Sequence, residues 1–564
     1  MGLHKYKLTK GQRKLWFKNN KEKIIKIGTI TMSVIVLVLG VVLFTMAKYK
    51  TNVDLDMIDT KVGNFSTGDL TLSMYLDGEK TDSVPSSSGH ILANVICKDG
   101  SDSNVNVTFD RTLMKITGID PAPKTKCNLY YQSAYKDGSG ANYPELFSGL
   151  IPVQYDASGN TIYANPSDEW YSYTNHKWAN AVLVDESIRS NYINEDGTYK
   201  TITGDKTIPS DKILQYYVWV PRYKYQLWNV NNESSDEQMI NVTFQTTDDT
   251  VEQGSTNGTY LTHPAFTFGS TKLSGFWVGK FEPSLTDGTL SCTDENCDAS
   301  NLRILPNVQS VTSMTVENQF YTARSIEKYF GLNSNQVDSH MMKNMEWGAV
   351  AYLSASVYGL YTSTNTCSNS LNNISVTLSD STTANRCQVW TNPKSDYTTG
   401  CSGTRMDDKS LTRCTAWNDS TRGGVSSTTG NLYGIYDMSG GSWEYVMGNV
   451  VMSTKTYTWQ VGSSSLTEPN TKYYDSYVNP QNSNQGDSHS NGRLGDATKE
   501  VLKTYGSNTG GWFSDYAYFP DASYVFFTRG GGYADGERAG VFYFSRHTGC
   551  ADGRTSFRPV ITAN

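Results

Sequence analysis

The polar residues between positions 533 and 555 are the first candidates for chemistry in this sequence. Tyrosine, aspartate, glutamate, arginine, serine, histidine, threonine and cysteine all occur in this short segment. His547 lies near Asp552, but no serine–histidine–aspartate order and no paired carboxylates accompany it. The spacing therefore fits no hydrolytic or acid–base arrangement, and the segment favours binding over catalysis.

Two ordered ends must position these side chains. Residues 527–533 predict a strand that ends in a tight glycine turn, and residues 556–560 predict a second buried strand. Glu444, Arg529 and Arg558 are candidates for charge-assisted hydrogen bonds that hold irregular loops together. We therefore expect a rigid frame around an exposed middle.

The composition is typical of an extracellular protein built from strands and loops. Charged residues make up 18% of the 564 residues and aromatic residues 12%, including 37 tyrosines. The net charge is -7, and the basic residues cluster only near the N-terminus. Because a nucleic-acid-binding protein needs a basic surface, we expect no nucleic-acid partner.

The N-terminus predicts a membrane anchor. Residues 1–26 form a basic tail, and residues 27–47 form an uncharged apolar run. A bilayer is crossed by about 20 apolar residues, and the lysine excess places the tail in the cytoplasm. This predicts a single-pass protein of the cell membrane with an extracellular C-terminal domain. The alternative is secretion after signal cleavage near Ala47, although signal segments have apolar runs of only about 7–15 residues.

The nine cysteines suit an oxidising compartment. Pairing of neighbours in sequence is the simplest interpretation, although sequence cannot prove connectivity. No cluster of cysteine and histidine at short spacing indicates zinc. The expected pairs are Cys97–Cys127, Cys292–Cys297, Cys367–Cys387 and Cys401–Cys414, which leaves Cys550 alone.

The exterior part divides into three predicted segments. Residues 48–135 form a small β domain, which we interpret as a spacer rather than a second binding domain. Residues 136–210 form a linker or β extension, and residues 211–564 form the main domain. In the main domain we predict helices over 316–329 and from a cap at Asp338-Ser339 through Leu353, among many short strands, which indicates an α+β fold.

Four stretches of the main domain resemble a known superfamily in sequence order. Together they look like the formylglycine-generating-enzyme (sulfatase-modifying factor) superfamily. The resemblance implies a loop-rich variant of the C-type lectin fold, so the predicted architecture is a transmembrane helix, a small β domain and a C-type-lectin-like domain. The four stretches are Gly275-Phe-Trp-Val-Gly-Lys-Phe-Glu282, Glu346-Trp-Gly-Ala-Val-Ala-Tyr352, Asn431-Leu-Tyr-Gly-Ile-Tyr-Asp-Met-Ser-Gly-Gly-Ser-Trp-Glu444, and Arg529-Gly-Gly closing at Ser556-Phe-Arg558.

The enzymatic activity of that superfamily is not expected here. The resemblance implies copper held by two cysteines shortly after the Arg-Gly-Gly turn, and two thiolates are the ligands that Cu(I) prefers. Residues 533–542 contain no cysteine, and Cys550 is single and too distant in sequence. We therefore predict a protein that is not an enzyme.

A second resemblance is to the variable proteins of diversity-generating retroelements, which share this fold. In those proteins adenine mutagenesis turns asparagine codons into codons for a restricted set of residues. Lysine, glutamine, methionine and tryptophan are missing from residues 533–555, and only Glu537 breaks the pattern. The residues that belong to the set are Tyr533, Ala534, Asp535, Arg538, Ser545, Arg546, His547, Thr548, Cys550, Ala551, Asp552, Arg554 and Thr555.

The sequence thus predicts a surface-displayed binding protein with a variable segment at 529–558. The expected ligand is a protein, peptide or glycan, since tyrosine and mixed polar side chains suit all three. No cofactor is expected, although loop oxygens could serve calcium. The alternatives are an envelope enzyme with altered chemistry and a structural adhesin. The predicted contact residues are Tyr533, Asp535, Arg538, Tyr543, Arg546, His547, Asp552 and Arg554.

Overall fold

The computed structural model of the chain consists of two compact units, Met1–Tyr131 and Gln132–Asn564. In the first unit it describes the backbone of seven strands. In the second unit it describes residues 135–563 except 148, 195–196, 232–233, 333–336, 378–382, 404–413, 453–465, 480–491, 504–509 and 522.

The first unit is made of short antiparallel strands. The pairings are β1 with β2, β5 with both β3 and β6, and β4 with β7, where Cys97 lies opposite Cys127. The side chains of this predicted cysteine pair lie outside the described part of the structure. The strands are β1 (Tyr75–Leu76), β2 (Glu79–Lys80), β3 (Gly89–His90), β4 (Ala93–Cys97), β5 (Asn106–Asp110), β6 (Lys115–Asp120) and β7 (Cys127–Tyr131).

The second unit contains most of the secondary structure. Its strands are β8 (Ile151–Tyr155), β9 (Thr161–Tyr163), β10 (Asn180–Val184), β11 (Ile213–Pro221), β12 (Tyr223–Gln226), β13 (Val242–Phe244), β14 (Tyr260–Thr262), β15 (Thr267–Phe268), β16 (Thr271–Lys272), β17 (Gly275–Gly279), β18 (Ser284–Leu285), β19 (Leu302–Arg303), β20 (Val337–Met341), β21 (Asn373–Thr377), β22 (Thr383–Cys387), β23 (Trp443–Met452), β24 (Asp475–Asn479), β25 (Phe526–Gly530), β26 (Gly540–His547), β27 (Thr555–Phe557) and β28 (Pro559–Ala563). Its helices are α1 (Glu186–Arg189), α2 (Val316–Arg324), α3 (Ile326–Tyr329) and α4 (Asn344–Ser354).

A seven-stranded sheet forms the core of the second unit, in the order β20-β28-β17-β11-β10-β8-β9. All five residues of β17 and almost all of β11 are buried, which explains their nearly continuous apolar sequences. Strands β8 to β10 belong to this sheet, so the sheet extends across residue 210. The domain boundaries drawn from the sequence stay a prediction.

A second sheet carries the C-terminal segment. Its order is β24-β23-β25-β26, and β27 pairs in parallel with β23. Beyond β26, Ala517 forms a single bridge to Phe544. Residues 516–518 therefore extend the sheet alongside β26.

The structure changes both predicted helices. The first is interrupted at Ser325, which separates α2 from α3. The second was wrong at its start, because Asp338 and Ser339 lie in β20 and pair with Thr562 and Ile561 of β28. Helix α4 begins only at Asn344. The local sequence could not show this strand, because the strand that pairs with it lies more than two hundred residues away in sequence.

The predicted fold class is corrected in two respects. The structure consists mainly of strands and loops, and the described residues contain only four short α-helices. Among these residues no helix is both long and apolar enough to cross a membrane. The predicted span 27–47 lies outside the described residues, so no described helix supports the transmembrane helix or the single-pass membrane localisation.

Candidate ligand-binding face

Strand β26 carries the centre of the predicted variable segment. It pairs with β25, where Phe526 lies opposite His547 and Thr528 opposite Ser545. Phe544 is fully buried, but the side chains from Ser545 to His547 are half-exposed. The strand therefore passes from the core to the surface where the predicted contact residues begin.

Buried arginines hold the frame of this segment. Arg558 Nε donates a hydrogen bond to Glu444 Oε2 at 3.0 Å. The Arg529 guanidinium donates to the main-chain carbonyls of Asp496 and Ala497 at 3.3 and 3.2 Å. Both arginine side chains are fully buried, so they connect loops, as the sequence suggested, and contact no ligand.

Along the segment, the positions of the proposed variable set differ in exposure from the positions between them. Apart from Thr555, every residue of the adenine-mutagenesis set is exposed or half-exposed. Glu537, which does not belong to the set, is also exposed. Other residues between and after these positions form a buried frame, namely Gly536, Gly540, Val541, Phe542, Phe544, Gly549, Phe557, Arg558, Pro559 and Val560.

One group of predicted contact residues surrounds the half-buried Trp443. Trp443 Nε1 donates to Asp535 Oδ2 at 2.7 Å, and the Arg554 guanidinium lies 4.8 Å from the centre of the indole ring. Arg554 Nε also donates to Asp552 Oδ1 at 3.0 Å, and this contact lowers the pKa of the Asp552 carboxyl. Tyr533 packs edge-on against Tyr397 at 5.4 Å. Arg538 also belongs to this group, because its Nη2 lies 3.7 Å from Asp535 Oδ1.

A second group is a row of tyrosines. Tyr516 stacks between Tyr518, at 6.2 Å, and Tyr543, at 5.5 Å. Tyr543 is almost fully buried beneath this row, and burial raises the pKa of its hydroxyl. Tyr516 also lies within electrostatic reach of Arg538 and Asp535, which connects the row to the group around Trp443.

Arg546 is half-exposed and packs against two tyrosine rings beside β26. Its guanidinium lies 4.2 Å from the ring centre of Tyr518 and 4.8 Å from that of Tyr524. It also forms an ion pair with Asp521, whose side chain is fully buried. Arg546 therefore connects Tyr518, Asp521 and Tyr524 to β26, a role that the sequence did not reveal.

His547 lies beside the base of the segment. Its Nδ1 accepts a hydrogen bond from the Tyr445 hydroxyl, and its Nε2 lies 3.9 Å from Asp552 Oδ2. Burial lowers the pKa of this imidazole, the Asp552 charge opposes that shift, and the Arg554 charge adds to it. His547 is therefore predominantly neutral at pH 7.

The structure places seven of the eight predicted contact residues at one surface, with Tyr543 buried beneath them, and adds five residues that the sequence analysis missed. We call this surface the β26 face. The alternation in Asp515-Tyr-Ala-Tyr-Phe519 is the local signal that could have revealed the tyrosine row. The β26 face consists of Tyr397, Trp443, Tyr516, Tyr518, Tyr524, Tyr533, Asp535, Arg538, Tyr543, Arg546, His547, Asp552 and Arg554.

The cysteines with described side chains form three disulfides and leave one free thiol. The three predicted pairs whose side chains are described are confirmed as disulfides: Cys292–Cys297, Cys367–Cys387 and Cys401–Cys414. Cys550 is the free cysteine of the described residues and is half-buried. In the same part of the chain, no group of three or more histidine, cysteine, aspartate or glutamate residues could hold a metal ion.

Comparisons with known proteins leave the family open. No protein-family model matches the chain, and no curated protein matches it either. Among solved structures, the chain is similar to the Major Tropism Determinant I1 Variant, with 10% identity and a TM-score of 0.23 over 81% of this chain and 94% of that chain. A TM-score this low does not show a shared fold, so the superfamily and the C-type-lectin-like fold stay predictions.

Proposed function

We propose that this protein binds a ligand through the β26 face. One observation carries the proposal: the positions assigned to the variable set lie at the surface, except Thr555, whereas the frame positions between them are buried. Surface positions tolerate substitution, because changes there usually alter stability by less than about 0.5 kcal/mol. Such a segment can change its specificity without losing its fold.

The chemistry of the face supports a protein, peptide or glycan ligand. Tyrosine and tryptophan supply large contact areas at a low entropy cost, and arginine and aspartate supply adaptable polar contacts. The side chains of Arg554 and Arg538 are 59% and 41% exposed. They are the charged groups of the face best placed to reach a ligand.

The finer proposal is that this is the variable protein of a diversity-generating retroelement, with diversification confined to residues 529–558. Sequencing of the neighbouring DNA tests it. We expect a reverse-transcriptase gene and a near-copy of the codons for residues 529–560 that differs mainly at adenines. A neighbourhood that lacks both would rule out active diversification and leave a binding protein with a fixed face.

Binding itself is tested on arrays of defined glycans and peptides. If the β26 face is the site, Tyr533→Ala and Arg538→Ala should weaken binding at least about tenfold, as truncation of central contact residues commonly does. Tyr329→Ala is the matched control, because Tyr329 is 38% exposed and lies outside the face. Equal losses for Tyr533→Ala and Tyr329→Ala would contradict the proposal.

An envelope enzyme of the formylglycine-generating superfamily is the main alternative. Copper chemistry of that kind needs two thiolates, and Cys550 is the free thiol of the described residues. The purified protein should therefore fail to oxidise a cysteine-containing peptide when copper is supplied. Turnover of that peptide would favour the enzyme. Binding to whole surfaces that no β26-face substitution changes would favour a structural adhesin.

A further inference from the structure

A thiol, an imidazole and a carboxylate lie next to one another at the edge of the β26 face. Cys550 Sγ lies 4.0 Å from His547 Nδ1, and His547 Nε2 lies 3.9 Å from Asp552 Oδ2. The thiol is half-buried, and the side chains of His547 and Asp552 are 18% and 19% exposed. A small molecule or an exposed group of a partner can therefore approach this cluster.

The position of Asp552 determines which nitrogen of His547 can act as a base. The Asp552 carboxylate faces Nε2 at 3.9 Å and favours the hydrogen on that nitrogen, so Nδ1 carries the lone pair and faces both the Tyr445 hydroxyl and the Cys550 thiol. The lone pair is thus on the nitrogen that faces the thiol. A neutral imidazole with this tautomer is the form that takes a proton from a neighbouring nucleophile.

The cluster has the parts of a reactive thiol site, and its geometry excludes a metal site. Asp552 and Cys550 lie against opposite nitrogens of the same ring, so His547 cannot share one metal ion with both. The six other cysteines with described side chains are paired in disulfides. A thiol with its own base on a binding surface suits covalent exchange.

We infer that Cys550 is a reactive thiol and that it forms a mixed disulfide with a disulfide-bearing partner bound at the β26 face. His547 Nδ1 takes the thiol proton, and the sulfur attacks one sulfur of the partner's disulfide. That S–S bond breaks as the new one forms, and the departing sulfur leaves as a thiolate that can take the proton back. One disulfide replaces another, so no oxidant is consumed.

The Tyr445 hydroxyl should slow this reaction in the native protein. This hydroxyl contacts His547 Nδ1, and the same oxygen lies 3.1 Å from the main-chain carbonyl oxygen of Cys550, so its single hydrogen can point to either acceptor. The phenol therefore competes with the thiol for the same lone pair. Removal of the hydroxyl should make the base more available, an outcome that a purely structural role for the cluster does not predict.

The test uses dithiobis(nitrobenzoate), a small aromatic disulfide that releases a coloured thiolate when a thiol attacks it. Among the cysteines with described side chains, Cys550 should be the one that reacts, and Cys550→Ser should abolish its reaction. His547→Asn should slow the reaction about tenfold or more at pH 7, since a positioned base typically contributes at least that much. The deficit should shrink at alkaline pH, where hydroxide removes the proton instead. Tyr445→Phe should react faster than the wild type.

Three further variants keep the test independent of folding. Thr548→Ala, a neighbouring half-exposed position outside the cluster, should react like the wild type. Asp552→Asn removes a charge that raises the pKa of His547, so the lower limb of the rate–pH profile should move to lower pH. Asp552→Asn also removes the ion pair with Arg554; Arg554→Met removes the same ion pair together with a charge that lowers the pKa of His547, so its profile should move to higher pH instead.

An inert Cys550 in the native protein, or equal rates for wild type and His547→Asn at pH 7, would overturn the inference. The partner in this inference rests on the proposed binding function, whereas the reactivity of the thiol does not. A protein that binds its ligand through Tyr533 and Arg538 but has an inert thiol would overturn this inference alone. A reactive thiol on a protein that binds no array member would count against the proposed function alone.

Discussion

Two arginines of the β26 face differ in what surrounds them. Arg546 lies between the rings of Tyr518 and Tyr524 and pairs with the buried carboxylate of Asp521. Arg554 is 59% exposed and pairs with Asp552 at the surface. Residue type alone places both among the contact residues, but only Arg554 is free to turn toward a ligand.

Replacement of Arg546 by methionine should therefore act on stability. It leaves the Asp521 carboxylate buried without its partner, and loss of one member of a buried pair costs about 3 kcal/mol. Urea unfolding should show this loss. Arg554→Met, the matched control at an exposed ion pair, should change the unfolding free energy by no more than about 0.5 kcal/mol.

A double variant separates the two possible reasons for such a loss. In Asp521→Asn/Arg546→Met no unpaired charge remains, so most of the stability should return. Unchanged stability of Arg546→Met together with lost binding would instead make Arg546 a contact residue.

At the scale of elements, the turn between β25 and the variable segment depends on two glycines. Gly530 and Gly531 have φ values of +81° and +73°, which side chains rarely adopt. A methyl group on Gly531 would lie 2.8 Å from the Ala539 Cα. The chain reverses here between the buried frame and the exposed surface, so the turn determines where the face begins.

Gly531→Ala should destabilise the protein by about 2 kcal/mol or more, because positive φ alone costs about 1 kcal/mol and the contact with Ala539 adds to it. Thermal unfolding followed by circular dichroism measures the loss. Gly553→Ala is the control, since its methyl group would meet nothing closer than Ser313 Oγ at 3.7 Å. Equal effects at the two positions would show that the turn geometry is unimportant.

The junction of β20 and α4 contains a buried charge network. His340 lies between Asp338, at 3.2 Å, and Glu346, at 3.1 Å, and its ring stacks on Phe268. Burial opposes the imidazolium, but the charges of Glu346 and Asp338 outweigh it, so the pKa of His340 is raised. Glu346 also caps α4 through the Lys343 amide at 2.8 Å.

The sign of the resulting pH dependence follows from the raised pKa. Protonation of His340 stabilises the fold fully below the unfolded value of about 6.5, and this contribution is lost as pH rises through the folded pKa. His340→Gln should therefore lose most stability relative to wild type below about pH 6, with a difference that narrows at higher pH. Urea unfolding at several pH values measures it, and a constant difference would contradict the charged network.

Across the whole second unit, one buried carboxylate connects distant parts of the chain. Glu500 accepts hydrogen bonds from Tyr352 of α4 at 2.8 Å, from Tyr225 of β12 at 3.1 Å and from the Gly495 amide at 2.7 Å. Burial raises the pKa of this carboxyl to about 7. The proton is therefore retained in the folded protein at pH values where the unfolded chain has released it.

Glu500 should consequently make the whole unit less stable as pH rises. The protonated Glu500 contributes its full stabilisation below about pH 4.5, and this stabilisation is lost as pH rises to about 7. For a pKa shift of this size the free energy of unfolding falls by about 3 kcal/mol. Glu500→Gln keeps a neutral side chain of similar shape and should remove this dependence. Urea unfolding at pH 5 and pH 8 measures it, and an equal pH dependence in Glu500→Gln would contradict the assignment.

The local sequence pattern was enough to predict several features of this molecule. The apolar runs of β11 and β17, the glycine turn after Arg529, the connecting roles of Glu444 and Arg558, and the three described disulfides all follow from residue type and spacing. Each depends on neighbours in sequence or on a strong preference of one residue type. The proposed contact residues also came from composition, and their role in binding stays a prediction.

Contacts between distant segments were decided only by the tertiary structure. Pairing with β28 turned Asp338 and Ser339 into a strand, although their sequence suits a helix cap. The bridge between Ala517 and Phe544 placed the tyrosine row on the β26 face, and the buried Asp521 gave Arg546 an ion pair that the sequence did not predict. Backbone pairing and burial depend on which segments meet in space, and a single sequence records its own residues but not the partners that folding brings to them.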